Sequence, residues 1–296
     1  MLEQLLNDGW DYHDTESERL ARELERAVDE GIPPGLLAPF MHLATHTIGE
    51  HLGAWSRALD LGQRVLRDRR PEAEVAKAWQ RVYVAAVLAS DATGAAEAEL
   101  AAIKASQDPF AGILAMRFGL ADALAGAGRI DLAGRIYRHA LDLAAPVAAS
   151  PDLDRSMAVG SNNLAWTLHA LPSRTAEETA LMELAAHTSL QAWRRCGDWV
   201  NEELALYLKA SAAHVSGDAG AALALADAGL DLIATKGQRP LDTARFHLLR
   251  IRCFAALGDS DGRSKALADA DRAAEAIPSE KLRRMFAAER AKVQSA

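Results

Sequence analysis

The chain has 296 residues, a formal net charge of −8 and a sequence pI near 5.6. Half of the residues are hydrophobic but only 5% are aromatic, which favours closely packed helices over a sheet sandwich rich in β-branched and aromatic residues. The acidic balance disfavours broad nucleic-acid binding, because contact with phosphates requires a dense basic surface.

The two cysteines, Cys196 and Cys253, lie far apart in the sequence and form no CxxC motif. We therefore expect neither a disulfide framework nor a zinc knuckle. The first residues lack a basic segment followed by an apolar run, and no stretch approaches the roughly 20 apolar residues of a membrane helix. We expect a cytoplasmic protein without membrane insertion.

The first predicted element is a charged helix that ends near Glu30. Thr15 and Glu18 have the spacing of a capping box at its start. The apolar residues of this helix fall on one face, which would cover the apolar side of the element that follows. Residues 1–33 are therefore predicted to form an N-terminal cap.

A histidine-rich segment follows the cap. His42, His46 and Glu50 are spaced i, i+4 and i+8, so all three can lie along one side of a helix. Histidine and carboxylate at this spacing can bind a transition metal, although Leu43 stands where the HExxH motif has its general base. The alternative is that these side chains pack inside the first helix pair. A metal-dependent helical enzyme centred on these three residues stays open as an alternative function.

Helical stretches joined in pairs by glycine-containing turns cover residues 34–276. The turns are predicted at Gly53, Gly94, Gly128, Gly217 and Gly258. Prolines stand between pairs, where a helix must end. They are Pro71, Pro109, Pro146, Pro151 and Pro240. The first helices of the six pairs are predicted over 34–50, 72–89, 110–126, 154–170, 199–216 and 241–257.

A small residue recurs on the packed face of each predicted second helix. It is Ala58, Ala98, Ala133, Ala185 and Ala222 in the first five pairs, at intervals of 40, 35, 52 and 37 residues. The long interval coincides with Pro172 and a capping box formed by Thr175 and Glu178, so the fourth pair carries an insertion or longer helices.

The segment 128–146, GRIDLAGRIYRHALDLAAP, is the most regular of these units. Gly128 closes a turn, Ala133, Tyr137 and Ala140 share one helical face, and Pro146 ends the helix. This arrangement resembles the second helix of a tetratricopeptide repeat (TPR), a family with a period of about 34 residues.

The resemblance implies an all-α, right-handed α-solenoid of stacked antiparallel helix pairs, a degenerate TPR-like superhelix. Ser279 is predicted to cap a last helix that covers the end of the stack, with Leu282, Phe286 and Val293 facing inward. We therefore predict one continuous domain over residues 1–296, with about six pairs at 34–276 and a C-terminal capping helix at 278–294.

In TPR proteins the first helices of the pairs line a concave face that binds the ligand, and the resemblance implies the same here. Asn163 is the strongest candidate, because an amide can hold the backbone of an extended peptide. The alternative for the aromatic candidates is helix packing. The family's carboxylate clamp is not expected, because Tyr207 and Ser211 occupy positions that would need its polar groups. The candidates are Tyr83, Phe118, Asp122, Asn162, Asn163, Trp166, Tyr207, His214, Arg245 and Arg252.

Other motifs for chemistry are absent from the sequence, and we expect no cofactor. Gly126 and Gly128 begin like a phosphate-binding loop, but Asp131 replaces its third glycine. No GxxxxGK[ST] or GxSxG motif occurs. The favoured function is a non-catalytic scaffold or adaptor that binds another protein or a peptide. A regulatory protein that senses a peptide or metabolite through a partner is the alternative, and self-association stays open.

Overall fold

A computed structural model of the chain describes residues 1–70 and 72–294. Across these residues every regular element is a helix, which confirms the predicted all-α fold class. The α-helices are α1 Leu2–Asp8, α2 Ser17–Glu30, α3 Leu37–Ala44, α4 Trp55–Leu66, α5 Ala76–Leu88, α6 Ala92–Ala105, α7 Pro109–Gly126, α8 Ile130–Ala144, α9 Pro151–His169, α10 Ala176–Cys196, α11 Trp199–Val215, α12 Ala219–Lys236, α13 Pro240–Leu257, α14 Ser260–Glu275 and α15 Glu280–Gln294. Short 3-10 turns occur at Gly9–Asp11, Pro34–Leu36 and Ala73–Val75, and a π-helix spans Thr45–His51.

Helices that follow one another in the chain pack together, as a stack of helix pairs requires. The pairs α5 with α6, α7 with α8, α11 with α12, and α13 with α14 are in extensive contact, and α12 packs against α13 of the next pair. The predicted first helices match the observed ones to within a few residues, except that residues 34–51 are divided into a 3-10 turn, α3 and the π-helix.

Tight packing between these helices depends on the small residues that repeat along the chain. The alanines that marked the predicted register are at most 1% exposed: Ala58, Ala98, Ala133, Ala185 and Ala222. Tyr137 and Ala140 are also fully buried, so the predicted face of α8 is its packed face. Small residues let the backbones approach closely, and the ring of Tyr137 fills the remaining space.

The contacts divide the chain into two compact units, and the boundary lies within α9. Unit 1 is Met1–Gly160 and unit 2 is Ser161–Ala296. Unit 2 has two core clusters. In the first, Phe246 of α13 packs with residues of α11 and α12. In the second, Phe286 and Val293 of α15 pack inward, as predicted. The single continuous domain over 1–296 remains a prediction.

Capping boxes were predicted at the starts of two helices, and one of the two forms. The capping box of Thr175 and Glu178 forms at the start of α10, with both reciprocal hydrogen bonds. The one predicted for Thr15 and Glu18 was wrong: α2 begins at Ser17, and the Thr15 hydroxyl donates to the Tyr12 carbonyl. The chain enters α2 through a turn that follows Gly9–Asp11, and the Thr15 hydroxyl is hydrogen-bonded within that turn instead of capping α2.

The predicted turn at Gly94 was also wrong. Ser90 takes the left-handed conformation there, with φ 62°, and Gly94 lies in the first turn of α6, where its amide donates to the Asp91 side chain. The other four predicted turn glycines have positive φ. Pro109, Pro151 and Pro240 begin the next helix, a position that tolerates the missing amide, whereas Pro71 lies outside the described residues.

One described helix, α7, is long and apolar enough to cross a membrane by length and composition. More than half of its residues are buried inside unit 1, where Leu114, Phe118 and Leu124 belong to the core. The core position of these residues accounts for the apolar composition of α7.

Candidate functional site

A cavity of about 430 Å³ in unit 2 is the candidate site. Its volume lies within the range of about 300–1,000 Å³ that is typical of small-molecule sites. Most of the lining comes from α9, α11 and α13, which are first helices of their pairs, with further residues from α14 and α15. The polar lining residues are His169, Ser211, His214, Arg252, Arg263 and Lys292.

The helices place these side chains through their ordinary periodicity. His214 lies in the last turn of α11, one turn beyond Ser211, so both face the same side. Leu249 and Ile251 of α13 are buried and form an apolar part of the wall next to Arg252. The cavity therefore combines an apolar wall with polar groups that converge on it.

The lining carries three cationic side chains and no carboxylate. Among the described residues, neither Arg252 nor Arg263 has a carboxylate within ion-pair distance. Because the whole chain has a net charge of −8, this concentration of positive charge is a local feature. A ligand with an anionic group would meet these two guanidinium groups without competition from a carboxylate of the lining.

The two histidines are held neutral by their surroundings. Burial, followed by the positive charges of Arg174 and Arg252, lowers the pKa of His169. Burial and Arg252 likewise lower the pKa of His214. The buried Nδ1 of His214 has no hydrogen-bond partner among the described residues, so it can accept or donate a bond to a ligand.

An aromatic strip continues from the cavity along the first helices of unit 2. The ring of Trp166 lies 5.3 Å from that of His169 and 6.2 Å from that of Tyr207. Tyr207 in turn meets Phe246 edge to face at 5.3 Å. Trp166 and Tyr207 are partly buried, and Tyr207 packs against the core of unit 2.

The other predicted residues of unit 2 differ in what they offer a ligand. Asn162 and Asn163 are partly buried, and the Nδ2 atom of Asn162 donates a hydrogen bond of 3.3 Å to the Oδ1 atom of Asn163. Arg245 is held by two hydrogen bonds to Glu289, at 3.0 and 2.6 Å. The charge of Arg245 is therefore neutralised within the fold, in contrast to that of Arg252.

Three predicted residues lie in unit 1, so they do not line this cavity. Phe118 is 1% exposed, with its ring 5.6 Å from that of Tyr137, so it has no surface for a ligand. Tyr83 is 6% exposed and accepts a hydrogen bond from Arg117. Asp122 lies close enough to the buried guanidinium of Arg81 to interact with its charge.

Of the six polar lining residues, the sequence selected two, His214 and Arg252, and missed four, among them His169, Lys292 and Arg263. His169 is the last residue of α9, and Lys292 lies in the capping helix α15, which was expected only to cover the stack. Arg263 belongs to a second helix, α14. Their convergence depends on the tertiary packing of α13 against α14 and α15, which no local pattern reveals.

The predicted trio His42, His46 and Glu50 is only partly brought together. His46 Nδ1 lies 2.5 Å from a carboxylate oxygen of Glu50, but the ring of His42 lies 6.5 Å from that of His46. His46 groups instead with His13 and His51 at ring distances of 5.0 and 4.7 Å.

The surroundings of this histidine cluster differ from one side chain to the next. Desolvation, with the nearby charge of Arg81, lowers the pKa of His42 to about 4. Burial opposes ionisation of Glu50, but its hydrogen bond with His46 lowers the pKa of that carboxyl overall. The indole of Trp10 packs on both His42 and His46, at 5.1 and 5.4 Å.

No family model matches the chain, and no curated protein matches it in sequence. Among solved structures it is similar to BtubC (BKLC) from P. vanneervenii, with 18% identity and a TM-score of 0.49 over 76% of this chain and 90% of that one. It is also similar to the apo form of the quorum sensor NprR from B. thuringiensis, with 14% identity and a TM-score of 0.39 over 97% of this chain and 86% of that one. Likenesses at this level indicate no family and no function.

Proposed function

We propose that this protein is a TPR-like, non-catalytic binding protein that holds the anionic group of a short peptide in the cavity of unit 2. The observation that carries the proposal is the pair of guanidinium groups of Arg252 and Arg263 in a cavity whose lining holds no carboxylate, in a chain of net charge −8. The unpartnered Nδ1 of His214 adds a hydrogen-bonding group at the same place.

The aromatic strip supports a peptide over a small metabolite. Trp166 packs beside His169 of the cavity wall and against Tyr207, both rings are partly exposed, and Asn162 and Asn163 lie on the same helix as Trp166. A side chain that packs on the rings and a backbone that bonds to the amides would extend the binding surface beyond one anionic group. Regulation through a separate partner protein remains the alternative form of the proposal.

The test is retention of a random pentapeptide pool by the full chain, with free or amidated C-termini, followed by mass spectrometry of the retained peptides. We expect retention of peptides that keep a free carboxylate. The dissociation constant of an enriched peptide is then measured from the fluorescence change of the chain's tryptophans. Equal retention of the two pools would contradict the proposal, whereas competition by citrate without peptide retention would favour a small anionic metabolite.

Two arginines of α13 give a matched pair of variants. Arg252→Gln removes a cation of the cavity that no carboxylate neutralises, and loss of a charged hydrogen bond costs about 1.5–3 kcal/mol, or about a 10- to 100-fold rise in Kd. Arg245→Gln removes a cation that Glu289 already neutralises, so peptide affinity should change little. Equal losses in the two variants would place the binding surface away from the cavity.

A further inference from the structure

Three histidines of unit 1 converge outside the proposed peptide site. One nitrogen each from His13, His46 and His51 can be chosen so that all three atoms lie within 4.8 Å of one another. The side chains of His13 and His46 are partly exposed and that of His51 is exposed, so solvent reaches the cluster.

Hydrogen bonds to a carbonyl and a carboxylate oxygen place the ring protons of two of these histidines on Nδ1. His13 Nδ1 lies 2.9 Å from the Trp10 carbonyl, which requires a proton on Nδ1. His46 Nδ1 lies 2.5 Å from Glu50 Oε2 in the same way. In each neutral ring the lone pair is then on Nε2. Histidines that bind a metal through one ring nitrogen commonly donate the N–H of the other nitrogen to a carbonyl or carboxylate in this way.

The π-helix explains why His51 joins the cluster. In an α-helix of 3.6 residues per turn, residues five apart point about 140° away from each other. In Thr45–His51 the hydrogen bonds run from residue i+5 to residue i, as in the bond from the Leu52 amide to the Thr47 carbonyl. His46 and His51 are thereby aligned, with their Nε2 atoms 3.1 Å apart.

The spacing fits a metal centre. Two nitrogens at about 2.0–2.1 Å from a tetrahedral ion lie about 3.3 Å apart, close to the separation of the His46 and His51 nitrogens. A nitrogen of His13 lies within 4.8 Å of those of His46 and His51, so a small side-chain rotation brings it to the same spacing. Glu50 supplies negative charge that offsets the nearby guanidinium of Arg81.

We propose that His13, His46 and His51 bind a divalent transition-metal ion of the zinc class, with Glu50 orienting His46 and a fourth position open to solvent. Imidazole suits Zn²⁺, Co²⁺ and Ni²⁺, and three histidines leave one position for water. The ion would join the segment before α2 to the π-helix, and binding to the folded state alone would raise the melting temperature.

The experiment uses the full chain without an affinity tag, after treatment with a chelator. Titration with ZnCl₂ in a calorimeter should give one site per chain, and CoCl₂ should give the visible absorption of a tetrahedral Co²⁺ centre. Glu50→Gln should weaken Zn²⁺ binding about 10- to 100-fold, the usual effect of removing a residue that orients a ligand. His51→Ala, which removes a ligand, should weaken it further.

Two control variants show whether Zn²⁺ binding belongs to these three histidines. His139→Ala removes an exposed histidine from α8 and should leave Zn²⁺ affinity unchanged. His42→Ala tests the alternative ligand set given by i, i+4 spacing and should also have little effect. The proposal is overturned if the parent chain binds no Zn²⁺ at millimolar concentration, or if His42→Ala weakens binding more than His51→Ala. Circular dichroism checks that each variant is folded, and His51→Gln replaces the alanine variant if that one is not.

Discussion

Glu203 in α11 is an acidic side chain buried without adequate partners. It is 0% exposed, and neither carboxylate oxygen has a hydrogen-bond partner among the described residues. The nearest cation, Arg239, is 3.7 Å away and lies closer to Asp242, at 2.7 Å. Burial and the charge of Asp242 raise the pKa of Glu203 to about 7, against the opposing effect of Arg239.

The raised pKa makes the contribution of Glu203 to folding stability depend on pH. A carboxyl with a higher pKa in the folded state binds its proton more tightly there than in the unfolded chain, which titrates near 4.5. Its contribution to stability is therefore fully present below about pH 4.5 and is lost as the pH rises through about 7. Above pH 7 the folded state contains an ionised, poorly paired carboxylate.

We expect Glu203→Gln to stabilise the protein at pH 8 by about 1–3 kcal/mol, because it removes the buried charge and keeps the shape. At pH 5 the parent is already neutral at this position, so the variant should melt within a degree or two of it. Thermal melts at both pH values measure the difference, and Glu202→Gln serves as a control at the adjacent, partly exposed position. A similar gain at both pH values would show that ionisation is not the cause.

His169 and His214 make peptide affinity depend on pH. Their pKa values are lowered by burial and by Arg174 and Arg252, and no carboxylate lines the cavity. A bound carboxylate offsets these positive charges and raises both pKa values, so the complex takes up protons. By linkage, affinity for a carboxylate peptide should increase as the pH falls from 8 to 5.5.

Calorimetry in two buffers of different ionisation enthalpy measures this proton uptake directly. The double variant His169→Gln, His214→Gln should bind the peptide with a flat pH profile over the same range. Uptake that persists in the double variant would assign it to other groups.

At the scale of helices, close approach depends on single glycines. A Cβ added at Gly229 in α12 would collide with the ring of Phe246 in α13, which is fully buried. Gly229→Ala should therefore destabilise the protein by about 1–3 kcal/mol, the usual cost of overfilling a packed core. Denaturant unfolding measures this change in the free energy of unfolding.

Gly220 supplies a matched control on the same helix. Its added Cβ would meet nothing closer than the Asp218 side chain, at 3.7 Å, so alanine fits without strain. Gly220→Ala should stabilise by about 0.5–1 kcal/mol, because alanine loses less backbone freedom on folding than glycine. Opposite signs at Gly229 and Gly220 would demonstrate that helix contact, and not helix propensity, decides the outcome at Gly229.

The helices could be predicted from sequence because their signals are local. These signals are the small residue of each second helix, the glycine turns other than that at Gly94, and the Thr175 capping box. Each acts within a few residues of chain and is found where the pattern placed it. The π-helix could not be predicted in this way, since a periodicity argument assumes 3.6 residues per turn. That assumption selected His42 as the neighbour of His46, whereas the structure places His51 there.

At the scale of the whole molecule, the cavity shows the limit of such reasoning. His214 and Arg252 could be selected because they lie on first helices at positions away from the packed stripe. Arg263 and Lys292 come from α14 and α15, and they reach the cavity only through the way those helices pack on α13. That packing brings together residues that are distant in the chain, so no short sequence pattern reveals their contact.

The contacts of the described helices join elements that are near one another in the chain, and this should make stability local. In helical repeats each unit is stabilised mainly by its neighbours, so damage to one pair does not spread evenly.

Ala133→Leu overfills the contact between α8 and α7, where Ala133 is fully buried, at a cost of about 1–3 kcal/mol. Hydrogen exchange followed by mass spectrometry should then show faster exchange in α7 and α8 and an unchanged rate in α13 and α14. Arg135→Leu places the same side chain on the exposed face of α8 and should leave both regions as in the parent. Equal acceleration in all helices of the Ala133→Leu variant would mean that the chain unfolds as one cooperative block, and the repeat description of its stability would then be wrong.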